Sequence, residues 1–176
     1  MIEGFIMAEQ FLTLMADLDD EAQKLMSGWY AELQKNGFNG TQTQGLPFHI
    51  SLAAYSLDKE AEVISLVHDL GDNFSKIPVY ISHIGVFPGG NVLFGAPDMS
   101  PELLELYSAS LKLESLQKFI WTPHATMIID EPETIANALP IWAKSFVPFF
   151  GKIVRLHLCA FWPTREILTI ELGDSL

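Results

Sequence analysis

Two short stretches of the 176-residue chain each place a hydroxyl two residues after a histidine. They are FHISL, with His49 and Ser51, and PHATM, with His124 and Thr126. Imidazole titrates near neutrality, so one ring can accept a proton while a second, protonated, donates one. A serine or threonine hydroxyl can donate a hydrogen bond to an oxygen that gains negative charge. Two such pairs are enough for general acid–base chemistry at a centre whose oxygens become charged. A single His-x-Ser on a strand is usually just a satisfied core or half-exposed histidine. A second copy with its hydroxyl in the same phase is not something a core requires.

The pairs work as pairs only on strands, where residues i and i+2 point to one face. Both motifs lie in apolar runs, LPFHISLAAY (46–55) and IWTPHATMIID (120–130), each with a proline just upstream, Pro47 and Pro123. Tyr55 shares the parity of His49 and Ser51. Strict alternation sets it at the edge of the same face, a candidate substrate-binding ring. Trp121 has the parity opposite to His124 and is expected in the core.

Around these strands the pattern predicts a strand over 9–17 and a helix over 19–37, with Ala22, Leu25, Met26, Trp29 and Leu33 on one stripe. A polar loop (38–47) leads to the first motif, and a helix over 57–74 follows it. Two strands meet at PGGN (88–91), a hairpin turn. Ser100 and Pro101 open a helix over 100–115. After the second motif comes a helix over 132–146, expected to kink or split at Pro140, and then a closing β-hairpin. Strands mixed with helices at this length indicate an α/β or α+β domain.

The composition sets limits on partners. Ten Lys+Arg against 22 Asp+Glu give a net charge of −12, which opposes binding of extended nucleic acid. A single small phosphate is compatible, held by hydroxyls, backbone N–H groups and histidine. No apolar run is long enough to span a bilayer. MIEGFIMAEQF lacks a basic leader, so no secretory signal is expected. The lone Cys159 excludes an internal disulfide and fits a cytoplasmic location. No zinc-type His-x-His or His-Glu-x-x-His spacing occurs, so neither metal nor cofactor is expected. His68, His83, His157, Lys152, Arg155 and Arg165 carry no assigned role, although His157 shares parity with Arg155 and Cys159.

The doubled motif, with IGVFPGGNVLFG (84–95) between its copies, resembles the 2H phosphoesterase superfamily, which includes 2′-5′ RNA ligase-like proteins and cyclic phosphodiesterases. The likeness extends from about residue 10 to 172. It implies a bilobal, pseudo-two-fold fold: two mainly antiparallel sheets around a central cleft, with helices outside. The whole chain, 1–176, would then be one domain with lobes near 1–77 and 78–176, strands being exchanged between them. It also implies metal-independent hydrolysis of a small 2′,3′-cyclic phosphate or 2′-5′-linked nucleotide, or of an RNA-terminal phosphate. His49 and His124 would be the acid–base pair, and Ser51 and Thr126 the phosphate donors. The alternative is a non-catalytic or regulatory nucleotide-binding domain of the same fold. The acidic run MIIDEPE after the second motif and the uncharged PGGN turn speak against long RNA and against ligation.

Overall fold

The longest strand, β6 (Phe149–Phe161), organises the sheet in this computed structural model, which describes residues 10–174. Most of the N-terminal stretch read above as lacking a leader lies outside those residues. One edge of β6 pairs with β1 (Phe11–Leu18), from Phe161↔Phe11 to Ile153↔Leu18. The other edge is shared end to end. There β7 (Arg165–Glu171) covers Arg155 to Ala160, and β3 (Ile77–Val86) covers Phe149 to Ile153. From β1 the pairing continues through β2 (His49–Ser56), β5 (Ala125–Ile129) and β4 (Val92–Pro97) back to β3. Every pairing among these seven strands is antiparallel. The strands are antiparallel, as expected, and they join in one seven-stranded sheet where the resemblance implied two.

Four helices cover the sheet. Helix α1 (Asp20–Lys35) starts where the Asp19 side chain accepts a hydrogen bond from Ala22 N (2.9 Å), with Asp20 and Glu21 at the positive end of the dipole. It buries Ala22, Met26, Trp29 and Leu33, the expected stripe less Leu25, which is exposed. Helix α2 (Glu60–Asn73) follows a 3₁₀ turn at Leu57–Lys59 and buries Val63, Leu66, Val67 and Leu70. Helix α4 (Pro132–Ser145) runs unbroken through Pro140. Its buried Trp142 ring lies 5.9 Å from that of Trp29, so packing against α1 keeps the helix continuous where the proline alone favours a break.

Helix α3 (Pro101–Ser110) is capped by Ser100, as the sequence indicates, but stops five residues short of the expected end at 115. The chain instead crosses the free edge of β2. There Ser115 Oγ and Leu116 N both donate to Ala54 O (3.1 and 2.8 Å), and Trp121 Nε1 donates to Ser51 O (2.9 Å). Buried carbonyls need partners. Beyond Ile50, β2 has no strand on that side, so the 111–124 segment supplies them.

The turn at 88–91 needs its glycines: Gly89 and Gly90 have φ of 98° and 76°, a region costly for residues with a Cβ. Between β2 and β5 the ladder has one register point, Ile50↔Ala125. Both residues are fully buried. Ile50→Ala removes packing at this seam. It should cost about 2–5 kcal/mol, seen as a lower urea midpoint at unchanged slope; an unchanged midpoint would contradict the role given to the seam.

Candidate active site

The seam at Ile50↔Ala125 brings the two motifs together. Ile50↔Ala125 is the one register point, so His49 and Ser51 flank it on β2, while His124, just before β5, and Thr126 flank it on the other side. All four are only partly buried, while Ile50 and Ala125 face the core. The four therefore lie on one face of the seam. Two adjoining cavities open there. One, of about 430 Å³, is lined by His49, Ser51 and Thr126; the other, of about 530 Å³, by Ser51 and His124. Phe11, Thr13 and Ser51 line both.

The two histidines are held alike. His49 Nδ1 lies 2.7 Å from Pro47 O, and His124 Nδ1 lies 2.7 Å from Thr122 O. A carbonyl can only accept, so Nδ1 carries the proton in each case. Each neutral ring then keeps its lone pair on Nε2. The prolines sit inside these two-residue loops: Pro47 supplies one acceptor, and Pro123 separates the other from its histidine. Burial pushes both pKa values below the usual histidine range, opposed by these carbonyl bonds. The His124 ring is further walled by Phe87 (edge-on, centroids 4.7 Å apart) and Phe94 (5.3 Å).

Tyr55 does not join the site. A β-bulge between the Leu14↔Ala53 and Met15↔Ser51 pairs places Leu52 and Ala53 consecutively in the core. That shifts the parity of everything after it. Tyr55 is fully buried on the opposite face, where its hydroxyl donates to Ser110 O (2.7 Å) and burial raises its pKa. Alternation counted through the bulge gave the wrong face. Trp121 is buried, as expected, and stacks on Tyr107 with centroids 4.0 Å apart.

Two sets of residues escaped sequence reasoning. Gln23 on α1 clamps the backbone beside His49: its Nε2 donates to Phe48 O (2.7 Å) and its Oε1 accepts from Phe48 N (2.8 Å). Nothing in the helical pattern marks this residue. The other set is a buried charged row next to His49. Asp17 is the Cα partner of both His49 and Arg155, and Asp17 and His157 are 1% and 3% exposed. His157 Nδ1 lies 3.4 Å from Asp17 Oδ2, more an ion pair than a hydrogen bond, since neither Nδ1 nor Asp17 Oδ1 has a well-aligned partner. The Asp17 carboxylate nevertheless holds His157 above the usual range. Shared parity of residues 155, 157 and 159 hinted at this row; Asp17 becomes visible only with the strand register.

Arg155 and Arg165 are engaged elsewhere. Arg155 lies 3.7 Å from Asp17 and 3.5 Å from Glu171, and Arg165 pairs with Glu60 (3.1 Å). His68 and His83 are exposed. No lysine or arginine lines either cavity. Among the described residues, no three His, Cys, Asp or Glu side chains converge as metal ligands, and no helix is long and apolar enough to cross a membrane.

The arrangement, seven antiparallel strands and four helices among the described residues, is a fold already seen in crystal structures. Crystal structures sharing it include E. coli LigT in apo form (19% identity, TM-score 0.63, covering 94% of this chain and 98% of that one). E. coli LigT complexed with 3′-AMP matches with 18% identity, TM-score 0.63 and coverage of 94% and 99%. TT0787 of Thermus thermophilus has 12% identity, TM-score 0.62 and coverage of 94% and 100%. No family model matches the sequence, and no curated protein does.

Two predictions follow from this geometry. Tyr55→Phe removes a buried hydrogen bond and leaves Ser110 O unpaired, costing about 1–3 kcal/mol of stability without changing ligand affinity at the histidines. A loss of affinity larger than the loss of stability would return Tyr55 to the site. In ¹⁵N NMR titrations, His49 and His124 should titrate below 6.5 as Nδ1–H tautomers and His157 above it. The signs for folding are opposite. Stability associated with His49 and His124 is present above pH 6.5 and falls as pH drops below it. That from His157 is full below 6.5 and is lost as pH rises through its folded value.

Proposed function

We propose that this chain is a 2H phosphoesterase that hydrolyses a small phosphodiester, a 2′,3′-cyclic phosphate or a 2′-5′-linked nucleotide, with His49 and His124 as its acid–base pair. The observation that carries this is the paired register of the motifs, each histidine in the same tautomer with Nε2 free. E. coli LigT has been crystallised with 3′-AMP, with ATP and with phosphate, which supports a small nucleotide as ligand here. The single Cys159, buried and free, accords with the cytoplasmic location that belongs to this proposal. So does one bilobal domain spanning the chain.

The chemistry needs no metal. A neutral histidine takes a proton from the attacking water through Nε2. The other, protonated at Nε2, gives its proton to the departing oxygen. Nδ1–H bonds to rigid backbone carbonyls keep both rings oriented through the exchange. Ser51 and Thr126 donate to the phosphoryl oxygens as these gain charge. Because burial favours the neutral rings, the anionic substrate itself must raise the pKa of whichever histidine acts as acid.

His49→Ala and His124→Ala should each lower kcat/KM for 2′,3′-cyclic nucleotides by about 10²–10⁴, and Ser51→Ala or Thr126→Val by about 10²–10³. The kcat/KM profile should be bell-shaped, with its optimum on the acid side of 6.5, and EDTA should leave it unchanged. Full activity in either histidine variant would sink the proposal. Binding without turnover by the wild type would favour a non-catalytic domain of the same fold.

A further inference from the structure

The lining of the two cavities bears on the substrate. The His49 side sets the hydrogen-bonding groups of Tyr30, Gln42, Thr43 and Gln44 among apolar side chains such as Met15, Leu46, Phe161 and Trp162. The His124 side is walled by Phe87, Leu116, Phe119, Ile120 and Trp121. Three of these are large apolar side chains left open to solvent: Leu116 is 47% exposed, Phe119 73% and Ile120 92%. A contiguous exposed apolar patch usually marks a binding surface.

This patch is held in place. Its segment is tied to β2 at Ala54 O and Ser51 O, and Trp121 lies flat on Tyr107, with their planes 3° apart. It also continues directly into the candidate site, since Ser51 and His124 line the same cavity.

Charge narrows the occupant. Neither cavity is lined by a lysine or arginine. Lys118 lies in the same segment but outside the lining. The chain carries a net −12. A negative charge held in the cavity beside His124, away from the phosphate, would lie in a negative field without a counter-ion.

We propose that the cavity beside His124 holds an uncharged, apolar alcohol arm of the substrate, so that the protein cleaves singly charged phosphodiesters joining a polar, nucleoside-like group to an apolar alcohol. This rests on the phosphodiesterase reading above and adds the substrate class. In the step, the oxygen of water bonds to phosphorus and the phosphorus–oxygen bond to the alcohol breaks. One histidine takes the water proton and the other protonates the leaving alcohol oxygen. A phosphomonoester and a free apolar alcohol result, and no other reactant is needed.

The test is a series of uridine 3′-phosphate esters with methyl, butyl and hexyl alcohols, and a hexyl ester ending in a carboxylate. Wild-type kcat/KM should rise roughly two- to fourfold per methylene while the chain stays within the cavity. The carboxylate-tailed ester should be at least tenfold poorer than the hexyl ester. The rise should collapse in Phe119→Ser/Ile120→Ser and persist in Lys118→Ala. Hydrolysis of the methyl ester with no dependence on chain length would overturn the apolar cavity and leave the phosphodiesterase standing. So would a carboxylate tail as good as the hexyl, or a slope that survives the double substitution. A protein inert toward every ester and toward 2′,3′-cyclic nucleotides would overturn both readings.

Discussion

The single register point between Ile50 and Ala125 is the constraint on which the site depends. Strand side chains alternate, so a slip of one residue would turn one motif into the core and leave the other alone. The register is secured by burial, both residues being fully enclosed. It is also secured by what surrounds the seam. Gln23 clamps Phe48 from α1, and Trp121 reaches across to Ser51 O. The segment 111–124 completes the edge of β2 where β5 does not reach. The wider sheet serves this seam too, because β6 binds both halves into one ladder.

The electrostatic design follows from the same geometry. The cavities contain neutral groups, namely hydroxyls, amides, aromatic rings and two histidines that burial keeps uncharged. Charged groups lie in the next row of the sheet, where Arg155 stands 3.7 Å from the buried Asp17 carboxylate. A phosphate entering such a place interacts mainly with directed donors. It also favours proton uptake by an imidazole, which is the event that arms an acid catalyst. On the function proposed above, the site is neutral at rest and charged in use.

Much of this was legible in the sequence because it rests on short-range rules. The parity of His49 with Ser51 and of His124 with Thr126 needs only local strand geometry. The Ser100 cap and the α1 stripe are equally local. What was hidden depends on long-range register or on irregularity. The bulge at Leu52–Ala53 carries no composition signal, so Tyr55 was placed on the wrong face. Asp17 becomes a neighbour of His49 only through the β1–β2 pairing. The early end of α3 reflects unpaired carbonyls on β2, which no property of residues 111–115 announces. Pro140 shows the reverse case, a strong local rule overridden by packing of Trp142 on Trp29.

The central claim is that two histidines, one opening β2 and one just before β5, equivalent in tautomer, address one phosphate. Titration of the ¹⁵N-histidine-labelled protein with 3′-AMP tests it most directly. The account predicts that the Nε2 signals of His49 and His124 shift together along one binding curve while their Nδ1–H signals stay in place. A shift of one without the other, or Nδ1 as the responding nitrogen, would contradict it.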